Sequence, residues 1–220
     1  YHDAKWYAAG GSKTKDISLD VFNQNKNLVQ IFNAGDKLNI LRADKIGDEF
    51  GINYVIKGSG NEFERIEEIK KTNATLIVPI NFPDAYDVSD SFLAEQVVLS
   101  DMKFWNQAPY NLKVLAENNV NFALTTADLK NPKDFLTNLR KAVEYGFPKE
   151  KALAALTEIP AKIANQNNIG TLKKGNLANF IIVSGDIFES KSSIQENWIQ
   201  GNRNIIEKIQ PSDIRGKYEL

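Results

Sequence analysis

The feature that most constrains the fold is a fourfold alternation of short apolar segments with longer amphipathic ones. The apolar segments lie at residues 37–41, 52–56, 75–80 and 121–125. Helical patterns at residues 16–34, 43–50, 61–71, 101–118, 132–145 and 148–164 surround them. This alternation predicts parallel strands with right-handed helical crossovers, as in an α/β barrel or an open α/β sheet. Four such units are half of a (β/α)₈ barrel, which usually needs about 250 residues.

The pattern changes after residue 165. Residues 180–183, 196–199 and 204–207 are typical of consecutive β-strands, and Gly201-Asn202 is a turn signal between two of them. We therefore predict two regions, a partial barrel of about four βα units at residues 1–165 and a set of short antiparallel strands at residues 166–220. A long segment at residues 81–100 carries Pro83 and several acidic residues, and it reads as an irregular, lid-like connection.

The amino-acid composition excludes several classes of function. The chain has 220 residues, a formal net charge of -1 and no cysteine, so disulfides, thiol catalysis and thiolate metal sites are excluded. Neither a basic stripe nor an apolar run of about 18 residues is present, and we expect no nucleic-acid or membrane partner. We expect a soluble protein whose compartment the sequence does not fix. The first seven residues read as the end of a truncated helix, which predicts that the chain is a fragment.

The segment between the predicted barrel and the predicted antiparallel strands carries a recognisable motif. A helical pattern containing Thr157, Pro160 and Ala161 is followed by Gly170-Thr171-Leu172, by Gly175 and by Ala178-Asn179. This motif resembles the C-terminal signature of the amidohydrolase superfamily, and most closely that of its imidazolonepropionase-like and prolidase-like members. The family commonly has Asp where this chain has Asn179.

The resemblance implies the second half of a metal-dependent-hydrolase TIM-like barrel, followed by strands of a composite β-sandwich. The first half of the barrel would lie outside this chain. Members of the family hydrolyse their substrates with a metal-bound water, and the resemblance places His at the ends of barrel strands five and six and Asp at the end of strand eight.

The expected ligand positions depart from that pattern. Arg42 follows the first predicted strand, and Lys57 follows the second. Asp128 lies one or two residues beyond the expected carboxylate, and the only histidine, His2, is far from any predicted strand. A protonated cationic side chain has no lone pair for a metal. The resemblance therefore implies a degenerate site without metal ligands in this chain, and zinc or another divalent metal would bind only if the other half supplied ligands.

Two interpretations of the cationic residues remain open. In the first, Arg42 and Lys57 pair with acids in the vacated barrel mouth and replace the charge of the metal; the candidate partners are Asp44, Glu62 and Asp128. In the second, they bind a carboxylate or phosphate. The candidate site residues are thus Asp128 for catalysis, with Arg42, Lys57, Glu62 and Thr126 as ligand-binding residues at the barrel mouth.

Two hypotheses for function follow. The first is a pseudoenzyme, a structural or ligand-binding part of a larger hydrolase of bacterial type. Its partner would be the N-terminal half of its own domain, another copy of itself or a second amidohydrolase domain. The alternative is the C-terminal half of an active metal-dependent hydrolase of C–N bonds in non-peptide amides or dipeptides. In that case Asp128 would be the general base.

Overall fold

The computed structural model describes residues 1–207, and residues 208–220 of the predicted C-terminal region lie outside this part. Its strands are β1 (Ile31–Asn33), β2 (Val55–Lys57), β3 (Thr75–Pro79), β4 (Phe122–Thr125), β5 (Phe180–Val183), β6 (Ile194–Ile199) and β7 (Asn202–Ile205). Its α-helices are α1 (His2–Ala8), α2 (Ile17–Gln24), α3 (Lys37–Phe50), α4 (Ile66–Thr72), α5 (Ser91–Gln96), α6 (Leu99–Gln107), α7 (Asn111–Glu117), α8 (Phe135–Glu144), α9 (Lys149–Leu156) and α10 (Glu158–Ile163). Short 3₁₀ turns cover Glu62–Arg65, Ala108–Tyr110 and Pro132–Asp134. Among the described helices, none is long and apolar enough to cross a membrane.

The first four strands form a parallel sheet in the order β1-β2-β3-β4, with helices between successive strands. One row of side chains across the sheet, Phe32, Ile56, Leu76 and Phe122, is in register and faces the helices that form the core. The opposite face is more open, and Ile31 is 59% exposed there. This arrangement confirms the predicted α/β class with a parallel sheet.

The first predicted strand is wrong, and so is the helix before it. Residues 37–41 form the first turns of α3, and the preceding helix ends at Gln24 so that β1 can form at Ile31–Asn33. Asp36 decides this boundary because its carboxylate accepts hydrogen bonds from the backbone N–H groups of Leu38 (2.7 Å) and Asn39 (2.8 Å). Such a cap satisfies donors that a new helix leaves unpaired.

The remaining course of α3 follows from its spacing and its end. Ile40, Ala43 and Gly47 are buried on one face of the helix, at the three- and four-residue intervals of an amphipathic helix. Gly51 ends the helix with a φ of 66°, a left-handed conformation that glycine adopts without steric cost. The apolar residues that suggested a strand are therefore the buried stripe of this helix.

The connection from β3 to β4 is more ordered than the sequence suggested. It contains α5, α6 and α7, whereas a lid-like loop was expected up to residue 100. Several large apolar side chains in its first half are exposed: Val88, Phe92, Val98, Leu99 and Met102.

The last three strands form a separate antiparallel sheet in the order β5-β6-β7, as predicted. Phe180 and Trp198 stack across β5 and β6 with ring centroids 5.3 Å apart. Arg140 on α8 joins the larger sheet's helices to this region, since its guanidinium donates to the backbone carbonyls of Ile187 (3.0 Å) and Ser192 (2.7 Å).

The motif at residues 157–179 connects α10 to the antiparallel sheet. Gly170 has a φ of 83°, and a side chain there would lie 2.7 Å from the carbonyl oxygen of Thr157 at the start of α10. The Asn179 side chain accepts a hydrogen bond from the backbone of Gln200 (2.7 Å), in the turn between β6 and β7. These residues fix the chain's path from helix to sheet.

Candidate functional site at the carboxyl ends of the strands

The candidate site lies where the parallel strands end. Asn33, Lys57, Pro79 and Thr125 are the last residues of β1, β2, β3 and β4, and parallel strands bring these residues to one edge of the sheet. Asn33 and Lys57 are direct partners in the register of the first two strands. In barrels of this type the active site is built at this edge.

Lys57 and Asp128 form an ion pair across this edge. The ammonium Nζ lies 2.5 Å from Oδ2 of Asp128. Because β3 lies between β2 and β4, the pair joins the end of β2 to the loop after β4 over the end of the intervening strand. The Lys57 side chain is 17% exposed and the Asp128 side chain is 49% exposed. The more buried partner is therefore the cation.

Asp128 belongs to a hydrogen-bonded turn. The hydroxyl of Thr125 accepts from the backbone of Ala127 (3.1 Å), and the carbonyl of Thr126 accepts from the backbone of Leu129 (3.2 Å). Asp128 itself has a φ of 67°, a left-handed conformation that Asp tolerates better than most residues do. Thr126, the neighbouring candidate, is exposed on this turn.

Glu62 supports the loop that follows β2 from inside the protein. We call its side chain, with the hydrogen bonds that it accepts, the Glu62 brace. Its carboxylate is completely buried. One oxygen accepts from the backbone N–H groups of Ser59 (2.8 Å) and Gly60 (3.0 Å), and the other accepts from the Asn111 side chain (2.6 Å). Asn111 in turn accepts from the backbone of Phe63 (2.8 Å). The carboxylate thus has three donors and no access to a bound molecule.

Two further residues complete this loop. Gly58 follows Lys57, and any side chain there would overlap the Glu62 carboxylate. Asn61 accepts from the Ser59 hydroxyl (2.9 Å) and from the backbone N–H of Lys37 (3.1 Å), which connects the loop to the start of α3. The segment from Lys57 to Glu62 is therefore a structural turn.

A cleft of about 440 Å³ opens beside the ion pair. Its lining residues include Ser59, Phe82, Asp84, Phe104, Asp128 and Lys130. Lys130 pairs with Asp84 at 2.5 Å on the rim, and the hydrogen bond and charge of Lys130 hold the pKa of Asp84 below its usual value. Both rim side chains are mostly exposed.

Arg42 does not follow a barrel strand, so the expectation based on that position is wrong. It lies in the second turn of α3, is exposed, and donates to the side chain of Asn39 (2.7 Å). Asn33 is the residue at the end of β1. His2 contacts Glu49 at the far end of α3 (3.2 Å), away from the strand ends.

The donor set at the strand ends does not fit a metal ion. It offers an amide at Asn33, an ammonium at Lys57, the carboxylate of Asp128, which is already paired, and the amide of Asn81 in the cleft, whose buried Oδ1 has no hydrogen-bond partner among the described residues. At an effective dielectric constant of about 20, a divalent ion about 4 Å from the ammonium would be repelled by about 8 kcal/mol. Within residues 1–207, no cluster of three or more His, Cys, Asp or Glu residues is placed to hold a metal.

Comparison with known proteins agrees with this architecture. The model of the amidohydrolase family matches residues 52–207. An amidohydrolase from Thermotoga maritima MSB8 has a similar fold, with a TM-score of 0.70 and 20% identity, over 92% of this chain and 52% of that one. Ochratoxinase from A. niger (0.56, 20% identity, 87% and 45%) and a prolidase crystallised with N-methylphosphonate-L-proline (0.55, 16%, 80% and 44%) are also similar. No curated protein matches significantly.

The chain therefore belongs to the amidohydrolase family, whose members usually use a divalent metal. The predicted resemblance is confirmed, as is the fold class, an α/β half barrel followed by short antiparallel strands. The chain spans about half the length of the solved structures it matches.

Sequence reasoning missed two residues of the site. The helix predicted over residues 16–34 covers Asn33, although Asp36 as a cap and Gly51 as a stop are sequence signals for a helix that starts later. Asn111 was not singled out, because nothing local in the sequence shows that it reaches Glu62, 49 positions away in the chain.

Proposed function

We propose that this chain is a non-catalytic part of a larger amidohydrolase-type protein, with a structural or ligand-binding role. The observation that supports this function most directly is the ion pair between Lys57 and Asp128. The Asp128 carboxylate that could act as a base is bound to the Lys57 ammonium, and the end of β1 next to Lys57 carries the amide of Asn33. Zinc or another divalent metal would require ligands from outside this chain.

The partner we propose is the N-terminal half of the same type of domain. Within residues 1–207, β1 and β4 each have one neighbour in the sheet, which leaves two edges able to pair. A cavity of about 690 Å³ with apolar walls, including Leu28, Ile31, Ile77 and Ile163, lies between the open face of the sheet and α10. A second copy of the chain or a second amidohydrolase domain would be alternative occupants.

Analytical ultracentrifugation tests this partnership. We expect the 220-residue chain alone to associate with itself, and to form a one-to-one complex when the complementary half is supplied. A stable monomer that does not bind the complementary half would contradict the proposal.

The alternative function is hydrolysis of C–N bonds in amides or dipeptides with Asp128 as general base. It is favoured by one observation, the half-exposed carboxylate of Asp128 at the cleft. In this reading, Asp128 accepts a proton from the attacking water after separating from Lys57.

Hydrolysis assays with the full-length protein decide between the two functions. A panel of dipeptides and N-acyl amides is incubated with wild type, Asp128→Asn and, as a control on the exposed rim, Asp84→Asn. We expect the same turnover in all three proteins, because the proposed role of this chain involves no catalytic step at Asp128. Turnover in wild type that falls at least about 100-fold in Asp128→Asn alone would establish the alternative.

A further inference from the structure

We propose that Lys57 is a built-in replacement for the metal ion at the barrel mouth, held in place by the Glu62 brace. This inference rests on the proposed function in assuming that the mouth performs no metal chemistry. It adds the physical role of the cation: Lys57 supplies both the positive charge and the link between strand ends that a metal ion bound there would provide.

The first support is the position of the cation. Lys57 lies at the last position of β2, in register with Asn33 on one side and Ile77 on the other. Its ammonium crosses the end of β3 to reach Asp128. It therefore ties together segments two strands apart, as an ion bound at the strand ends would.

The second support is burial. With 17% of its side chain exposed, Lys57 has lost most of its contact with water and needs a counter-charge. Asp128 meets this need from a turn fixed by its own hydrogen bonds. By contrast, the pair between Lys130 and Asp84 on the rim is 87% and 77% exposed. Ion pairs with this degree of exposure contribute little to stability.

The third support is the brace. One carboxylate oxygen of Glu62 accepts hydrogen bonds from the backbone N–H groups of Ser59 and Gly60, two and three residues after Lys57. Gly58 provides the space for that carboxylate. Glu62 is thus a positioning residue, because it contacts the loop behind Lys57 and leaves the ammonium to meet Asp128.

A thermal-shift experiment on the full-length protein tests the inference. It compares wild type with Lys57→Met, Asp128→Asn and their double variant, and uses Lys130→Met as the matched control. Methionine keeps the length of the lysine stem, so packing is retained while the charge is lost. Each protein is measured with EDTA and with added ZnCl₂.

We expect Lys57→Met and Asp128→Asn each to lower the Tm by about 2–4 °C, and the double variant to lose no more than the larger single loss. Lys130→Met should change the Tm by less than about 1 °C. Wild type should show the same Tm with EDTA and with zinc.

Two outcomes would overturn the inference. One is a Tm loss in Lys57→Met no larger than that in Lys130→Met. The other is zinc bound stoichiometrically to wild type, by elemental analysis, and released by Asp128→Asn. Hydrolytic turnover does not enter these measurements, so a failure here is distinct from a failure of the proposed function.

Discussion

Replacing Glu62 with Gln tests how far the loop after β2 depends on a buried carboxylate. The substitution keeps the size and shape of the side chain and removes one acceptor. Oxygen Oε1 can still accept from Ser59 and Gly60, but the new Nε2 amide group faces the side-chain amide of Asn111, which is also a donor. Rotating the Asn111 amide would instead turn a donor toward the backbone N–H of Phe63.

One buried donor therefore stays unpaired in either arrangement. An unpaired buried donor costs about 1–3 kcal/mol, and replacing charge-assisted hydrogen bonds with neutral ones adds about 1 kcal/mol. We expect Glu62→Gln to lower the free energy of unfolding by about 2–4 kcal/mol, measured by urea denaturation with circular dichroism. The amides of Ser59 and Gly60 should also exchange hydrogen faster than in wild type.

The double variant Glu62→Gln with Asn111→Asp restores the pattern of donors and acceptors. The new carboxylate at position 111 can accept from both the introduced side-chain amide at position 62 and the Phe63 backbone. It should recover about half of the lost stability or more. Glu67→Gln, on the exposed face of α4, is the control and should change stability by less than about 0.5 kcal/mol. A loss in Glu62→Gln no larger than in this control, with unchanged amide exchange, would refute the reasoning.

Two further predictions concern the C-terminal region. The pKa of Glu196 is held below its usual value by hydrogen bonds from Arg203 and, secondarily, from Trp198. A carboxyl whose folded pKa is depressed stabilises the fold above its unfolded pKa and loses that contribution as the pH falls through the folded pKa. Trp198 fluorescence should therefore change below about pH 4.5, and Glu196→Gln should abolish the change; a titration unaffected by this variant would contradict the assignment. Gly170→Ala should cost about 1–3 kcal/mol more than Gly175→Ala in urea denaturation, because both have positive φ but only Gly170 faces a close carbonyl; equal losses would show that the close contact relaxes.

The predicted fold was largely right because most of its signals are local. The strands at Thr75–Pro79 and Phe180–Val183 combine β-branched residues with flanking turns, and each was recognised within one residue. The strand Ile31–Asn33 has three residues, lies at a sheet edge and is mostly exposed, so it carries little apolar pattern of its own. The apolar start of α3 beside it gave a stronger but misleading signal.

That single displacement changed the site. With the strand placed at residues 37–41, Arg42 stood at the barrel mouth, where it would either pair with acids or form an anion-binding pocket together with Lys57. With the strand at Ile31–Asn33, the residue at the mouth is Asn33, and Lys57 is the cation directed at Asp128. An error of a few residues in one strand thus changed which side chains belong to the site, because site chemistry depends on which residue ends each strand.

The charged groups near the strand ends have partners within the protein, and among the buried side-chain atoms of the described residues there, only Oδ1 of Asn81 has no hydrogen-bond partner. Lys57 is paired with Asp128, and Lys130 is paired with Asp84 on the rim. The Glu62 carboxylate accepts hydrogen bonds from three donors inside the protein. A site that binds a metal must instead leave several lone pairs directed at one empty point, which destabilises the protein until the ion arrives. The strand ends of this chain have the opposite organisation. The positive charge there belongs to the Lys57 side chain, so this part of the protein can form during folding without a metal ion. This organisation favours a role for this half of the barrel in architecture or recognition.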